Sequence, residues 1–132
     1  MHRARAVVLD ACVLADFIVS DLLLRMAEEP VLILPRWSEV IFAEVRRTHR
    51  KLKWEDLIAE SWQESVREAF PESFFDPPKE VISRLRNHPK DRHVLGTAII
   101  SRAETIVTYN LRDFKPTALE PWGVVAISPD DF

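Results

Sequence analysis

The stretch Arg5-Ala6-Val7-Val8-Leu9-Asp10, followed at once by Ala11-Cys12-Val13-Leu14, decides how the rest of the chain is read. A short apolar run reads as a buried strand, an acid closes it, and a helix-like stretch begins. Open α/β sheets bind ligands outside the carboxyl ends of their strands, so Asp10 stands where a ligand-binding carboxylate is expected. Asp is also a favoured helix N-cap, and the two roles can coexist.

Working outward, residues 12–28 read as one helix, with Leu14, Phe17, Ile18, Leu22 and Met26 on one side and Asp21, Arg25 and Glu28 on another. Pro30 stops it, and Val31-Leu32-Ile33-Leu34 reads as a second strand. Pro35 is read as opening a helix over about 36–50, and a further helix spans about 54–69, carrying Trp54, Leu57, Ile58, Trp62 and Val66. The connection 71–78 holds three prolines and a short extended piece at Ser73-Phe74-Phe75. Helices over about 78–86 and 92–103 follow, the latter with Val94, Leu95, Ala98 and Ile99 inward. Thr105-Ile106-Val107-Thr108 and Val124-Val125-Ala126-Ile127 read as the third and fourth strands. This alternation predicts an α/β fold, a small parallel β-sheet flanked by helices in three layers. Residues 1–132 read as a single domain, with a C-terminal element expected beyond Phe132.

Composition narrows the class. The 132 residues are 47% hydrophobic and 30% charged, an ordinary globular balance, and no apolar run approaches the ~20 residues that span a bilayer. Arg3 and Arg5 lead straight into a strand, which is no signal-peptide pattern. Cys12 is the only cysteine, so no internal disulfide forms, as fits a reducing cytoplasm. The net charge of −3 mildly opposes nucleic-acid binding, yet positive charge is clustered. One group runs from Arg46 to Lys53, and a second comprises Arg84, Arg86, His88, Lys90, Arg92 and His93. Either is a solvated helix face or a phosphate-contacting surface.

Three further acids join Asp10. On a helix wound at ~100° per residue, Trp37, Ile41, Val45 and Thr48 share a narrow sector with Glu44 at its edge, whereas Glu39 points nearly the opposite way, into solvent. A carboxylate beside a buried stripe is costly unless paired, so Glu44 meets either a cation or an arginine. Asp91 precedes a helix that it can cap, and Asp113 follows a strand in a turn that can use its side chain locally. Right-handed crossovers bring the loops after parallel strands to one edge, so Asp10, Asp91 and the 108–113 segment are expected to converge. Hard oxygen ligands in such a pocket suit Mg²⁺ or Mn²⁺, and such ions support phosphodiester hydrolysis.

Four stretches carry a family resemblance. They are Val8-Leu9-Asp10-Ala11, then Trp37-Ser38-Glu39 through Glu44-Val45-Arg46-Arg47, then Pro89-Lys90-Asp91-Arg92-His93-Val94-Leu95-Gly96-Thr97-Ala98, and Ile106-Val107-Thr108-Tyr109-Asn110-Leu111-Arg112-Asp113-Phe114. On these the chain, over about 5–132, resembles the PIN-domain family of metal-dependent ribonucleases. It is most similar to the branch of VapC-type toxins of bacterial toxin–antitoxin pairs. The resemblance implies a PIN-like three-layer α/β/α fold with Asp10, Glu44 and Asp91 as the first three site acids. The family's fourth position falls on Asn110, with Asp113 three residues on; Asp113 is taken as the fourth acid, with Thr108 and Asn110 as supports. Two departures stand out: Cys12 where the family usually has Asn or Ser, and His88-Pro89-Lys90 where it is usually more acidic.

The reading that follows is a cytoplasmic, Mg²⁺- or Mn²⁺-dependent endoribonuclease. Asp10, Asp91 and Asp113 are expected to hold metal, and Glu44 to hold a second ion or orient the attacking water. In-line attack would leave a 5′-phosphate and a 3′-hydroxyl. Arg46, Arg47, Arg50 and Lys51 are expected to guide the RNA backbone. The resemblance further implies an antitoxin partner and a homodimer, for which Trp54, Trp62, Phe70, Phe74 and Phe75 would suit an interface if they are not core. A non-catalytic PIN-like module binding RNA or a protein is the alternative. A haloacid-dehalogenase-like phosphatase would need an acid where Cys12 stands, and a receiver domain would need an acidic pair before Asp10.

Overall fold

The computed structural model describes residues 4–132, so Arg3 lies outside the described residues. Strands β1 (Arg5–Leu9), β2 (Ile33–Arg36), β3 (Thr105–Val107) and β4 (Val125–Ile127) form one sheet in the order β2-β1-β3-β4, with every pair parallel. Val8 faces Arg36 on one side and Ile106 on the other. Successive strand residues point to opposite faces, and Val7, Val8 and Leu9 all have zero exposure, so both faces of β1 are covered. Burying each of these side chains contributes about 1.5–3 kcal/mol. The expected α/β, PIN-like three-layer architecture is the one observed.

The helices are α1 (Ala11–Leu14), α2 (Phe17–Arg25), α3 (Glu39–Lys51), α4 (Asp56–Ala69), α5 (Lys79–Ile82), α6 (Arg92–Ser101) and α7 (Pro116–Leu119). Several boundaries differ from the sequence reading. The helix expected over 12–28 is two helices, because the Asp16 carboxylate accepts from the Val19 N–H and caps a new start. The side of α2 bearing Phe17, Ile18 and Leu22 is exposed, at 59%, 80% and 61%, while Ser20 and Leu23 point inward. Pro35 does not open a helix; it lies within β2, an edge strand, where the missing N–H is tolerated. The next helix starts only at Glu39, where Ser38 Oγ accepts from the Ile41 N–H. The helix expected over 78–86 is the single turn α5, and α7 was not anticipated.

The outer edge beyond β2 is covered by the extended piece at 73–75. Trp37 N–H donates to the Ser73 carbonyl at 3.0 Å, and Phe75 N–H to the Trp37 carbonyl at 2.9 Å. Trp37, Phe42, Phe70 and Phe74 pack edge-on or tilted against one another, with ring centroids 4.8–5.9 Å apart. Trp62 joins them through Phe42, so most of the aromatic surplus is core. Gly96 lets α6 approach the proline connection, for a Cβ there would lie 2.9 Å from Pro77 Cβ.

Glu39 is not simply solvated. It forms a two-pronged pair with Arg67, at 2.6 and 2.9 Å, and the Arg67 guanidinium lies 5.1 and 4.7 Å from the Phe42 and Phe74 ring centres. The planar fork matches the carboxylate while its face lies on the rings, a combination lysine does not reproduce. Replacing Arg67 with Ala is expected to cost about 1–2 kcal/mol in urea denaturation. Arg67→Lys should recover less than half of that loss, and full recovery by Lys would show that charge alone matters.

Candidate metal centre

The winding of the sheet reverses at β1. The chain passes from β1 to β2 on one side, then returns to β3 and β4 on the other, which makes the ends of β1 and β3 a topological switch point. Asp10 follows β1, and Thr108 follows β3. The Asp10 N–H donates to the Val107 carbonyl at 3.1 Å, fastening the two strand ends together.

Asp10 is only 4% exposed. Its Oδ1 accepts from the Ala11 N–H at 2.8 Å, capping α1, and its Oδ2 accepts from Thr108 Oγ1 at 2.8 Å. The capping and site roles therefore coexist. Burial pushes its pKa up; the Thr108 and Ala11 hydrogen bonds act against this, and nearby Glu44 adds to it. Thr108 also accepts from the Asn110 N–H at 3.0 Å, so one buried hydroxyl links the first acid to the loop after β3.

Cys12 lies against the same loop. Its sulfur is 3.5 Å from the Tyr109 N–H, 3.7 Å from Thr108 Oγ1, 3.8 Å from Asp10 Oδ2 and 3.9 Å from Asn110 Nδ2. Burial and the Asp10 charge push its thiol up to about 11, so at neutral pH it is a protonated weak donor. It fills the departure from the family's Asn or Ser with a group that can still donate toward Asp10.

Asp91 ends a single 3-10 turn (Pro89–Asp91) that leads into α6. Its carboxyl is pushed up to about 7, first by burial, then by a hydrogen bond to Asp113 and by the charges of Asp10, Asp113 and Glu44. Glu44 is half-buried on α3, 3.2 Å from His93 Nε2 and 3.9 Å from Arg47. The arginine anticipated as a partner is present, and beside it stands a histidine in the first turn of α6. Asp10, Glu44, Asp91 and Asp113 all line one cavity of about 160 Å³, together with Cys12, Arg47, Thr48, Lys51, Lys90 and Asn110.

The structure brings the four acids together at this cavity, with Asn110 in its lining and Thr108 hydrogen-bonded to Asp10. Arg47 and Lys51 also reach the cavity. Arg46 and Arg50 do not line it; both turn to Asp56 of α4, at 3.6 and 3.9 Å. His93 and Lys90 are placed here too, although the sequence reading had set them only in a basic surface cluster. For His93 the available signal was its spacing of two residues from Asp91, at the start of a helix.

The donor set fits a divalent cation. Ligand atoms of Glu44, Asp91 and His93 lie within 4.8 Å of one another, as do those of His88, Asp91 and Asp113. Asp91 belongs to both triplets, and the carboxyl whose ionisation is most hindered by its neighbours is the one a cation would relieve. Asp10 belongs to neither triplet, and both of its oxygens already accept one hydrogen bond.

A protein of Mycobacterium tuberculosis that bears the name ribonuclease VapC50 is 40% identical to this chain over 102 residues. The match covers 75% of this chain and 60% of that protein, so the chain spans about three-fifths of the length of the curated relative. No family model and no solved structure matches the chain. The likeness agrees with the resemblance drawn from the strand-end motifs.

Asp91 gives a signed pH dependence. The folded protein keeps its proton up to about 7, whereas the unfolded carboxyl releases it near 3.8, so its contribution to stability is full below 3.8 and is lost as pH rises through about 7. Asp10, also raised, acts in the same direction. Without divalent ions, urea midpoints are expected to fall between about pH 4 and pH 7. Asp91→Asn should flatten that fall, and Mn²⁺ should restore the midpoint of the parent protein at the alkaline end. A fall of the same depth in the Asn variant would remove Asp91 as its cause.

Proposed function

We propose, on its likeness to the protein named ribonuclease VapC50, that this chain is a PIN-domain, divalent-metal-dependent endoribonuclease and the toxin of a type II toxin–antitoxin pair. The observation that carries the reading is the meeting of four carboxylates at the sheet's switch point, around one cavity whose rim carries Arg47, Lys51 and Lys90. Carboxylates alone would repel a phosphodiester; a bound cation reverses that, and the rim lysines and arginine hold non-bridging oxygens.

Asp91 and Asp113, with Asp10 close by, are the residues proposed to hold Mg²⁺ or Mn²⁺. When bound, the ion supplies positive charge at the scissile phosphate and makes water a better nucleophile at neutral pH. Glu44, 3.2 Å from His93 Nε2, orients the attacking water, and in-line attack leaves a 5′-phosphate and a 3′-hydroxyl. Thr108 keeps the Asp10 carboxylate in one orientation, and Asn110 closes the loop above it. Arg47 and Lys51 guide the RNA backbone, while Arg46 and Arg50, about 100° further round α3, pair with Asp56.

An antitoxin and a second copy of the chain are the proposed protein partners. The exposed apolar side of α2, with Leu57 and Ile58 of α4 at 79% and 55% exposure, supports a protein-covered surface. Among the described residues, no helix is long and apolar enough to cross a membrane. The free Cys12 thiol supports a cytoplasmic site of action.

Purified protein with Mn²⁺ is expected to cleave a mixed RNA pool, with EDTA and Asp10→Asn each abolishing cleavage. Products should carry 5′-phosphate ends, and 2′,3′-cyclic phosphate ends would overturn the mechanism. Absence of cleavage by clean wild-type protein would favour a non-catalytic RNA- or protein-binding module. Thr108→Val removes only the hydroxyl that orients Asp10, and should lower activity or metal affinity about 10–100-fold. Retained activity in that variant would mean Asp10 is oriented by the Ala11 N–H alone.

A further inference from the structure

Asp113 separates two cavities of opposite charge. On one side is the acidic cavity; on the other lies a larger one of about 510 Å³, lined by Arg86, His88, Arg92, Arg112 and Lys115 among others. Its size falls within the range of about 300–1,000 Å³ typical of ligand clefts. Asp113 is the only carboxylate among its lining residues. In a chain of net charge −3, four permanent cations around one concavity is a marked local excess.

These cations are not neutralised within the molecule. Among the described residues, none of Arg86, Arg92, Arg112 and Lys115 has a carboxylate within 4.0 Å, whereas Arg25, Arg46, Arg47, Arg50 and Arg67 all do. Two members are held in place by backbone groups. Arg92 Nε donates to the Asn87 carbonyl at 3.1 Å, which anchors the guanidinium and leaves its terminal nitrogens available. His88 Nδ1 accepts from the Lys90 N–H at 3.2 Å, so the neutral ring carries its proton on Nε2.

The two cavities are also mechanically joined. Buried Asn87 donates from Nδ2 to the Asp91 carbonyl at 3.0 Å, while its own carbonyl receives Arg92. The His88 N–H meets the Asp113 carbonyl at 3.3 Å. The same short segment therefore positions an acid of one cavity and the cations of the other.

We infer that the basic cavity is a phosphodiester subsite for single-stranded RNA, holding a backbone phosphate beyond the scissile bond while the acidic cavity holds the bond to be cut. This inference rests on the ribonuclease reading for its meaning but not for its test. Arginine forks match phosphate oxygens in pairs, and a concave site takes a flexible single strand where a rigid duplex would not enter. Because the two cavities share the Asp113 wall, an RNA strand seated in the basic one runs on toward the bond to be cut, whereas an acidic peptide would gain nothing from that continuity.

The test is binding in EDTA, where no cleavage occurs, of a fluorescent oligouridylate of about ten nucleotides, spanning several phosphates, to the wild type and to the triple variant Arg86→Gln, Arg112→Gln, Lys115→Gln. All three side chains are exposed, and Arg92 is kept because of its bond to Asn87. A circular-dichroism melt confirms that the variant folds; should it not, the three single variants are measured instead. The affinity is expected to fall at least about tenfold, and the slope of log affinity against log salt to flatten by about 2, as for three lost single-strand phosphate contacts. Equal affinity and slope in the two proteins would overturn the subsite. So would a variant that keeps RNA binding but loses binding of an oligoglutamate peptide, since that would make the cavity a protein-docking site. If the wild type binds RNA through this cavity yet never cleaves it with Mn²⁺, the catalytic reading fails and the subsite stands.

Discussion

The hydrogen bond from Thr108 to Asp10 joins residues 98 positions apart, and it exists because β1 and β3 are neighbours in the sheet. That adjacency follows from the reversal of winding at β1. A sheet wound in one direction throughout would set the ends of β1 and β3 apart and offer no crevice between them. The aliphatic run Val7 to Leu9 makes the arrangement possible, since only a strand buried on both faces can sit centrally with helices above and below. The position of the site is thus a result of sheet topology, and its acidity a result of which residues end the strands.

Crowding carboxylates has a cost that the surroundings only partly offset. Asp10 receives two hydrogen bonds, and Glu44 has His93 and Arg47. Asp91 is buried, and burial first, then its carboxyl partner Asp113 and the charges of Asp10 and Glu44, hold its proton more tightly than usual. A cation placed beside it would lower that cost. The arginines close by are distributed with the same logic. Those on α3 nearest α4 are tied to Asp56, while those around the larger cavity have, among the described residues, no carboxylate within 4.0 Å.

Much of this was legible before any coordinates. Short apolar runs bounded by turn residues marked all four strands, and the central β1 and β3, most deeply buried, had the least freedom in composition. Asp10 and Asp91 were legible because one follows a strand and the other precedes a helix, Glu44 because it falls at the edge of the buried stripe of α3, and Asp113 because it lies in the loop after β3. Failures came where a single polar atom overrode periodicity. Asp16 splits a helix that hydrophobic spacing predicted as continuous, and the spacing of Phe17, Ile18 and Leu22 marked a real stripe that faces outward. Pro35 was misread because its tolerance in β2 depends on that strand lying at an edge, which is a property of the sheet as a whole. The pair of Glu39 with Arg67, 28 residues away, and the grouping of Arg86 with Arg112 and Lys115 are long-range facts that no local window contains.

The order in which the chain is made gives the separation of Asp10 from Thr108 a temporal meaning. A ribosome delivers β1 and its acid first, yet β1 has no β3 beside it until residue 107 has emerged, and the acidic cavity has no far wall until Asp113 has. Loop closure over so long a span cannot be anticipated by a partial chain. A growing polypeptide therefore carries the first acid without the assembled cavity until the segment through Asp113 has emerged and folded.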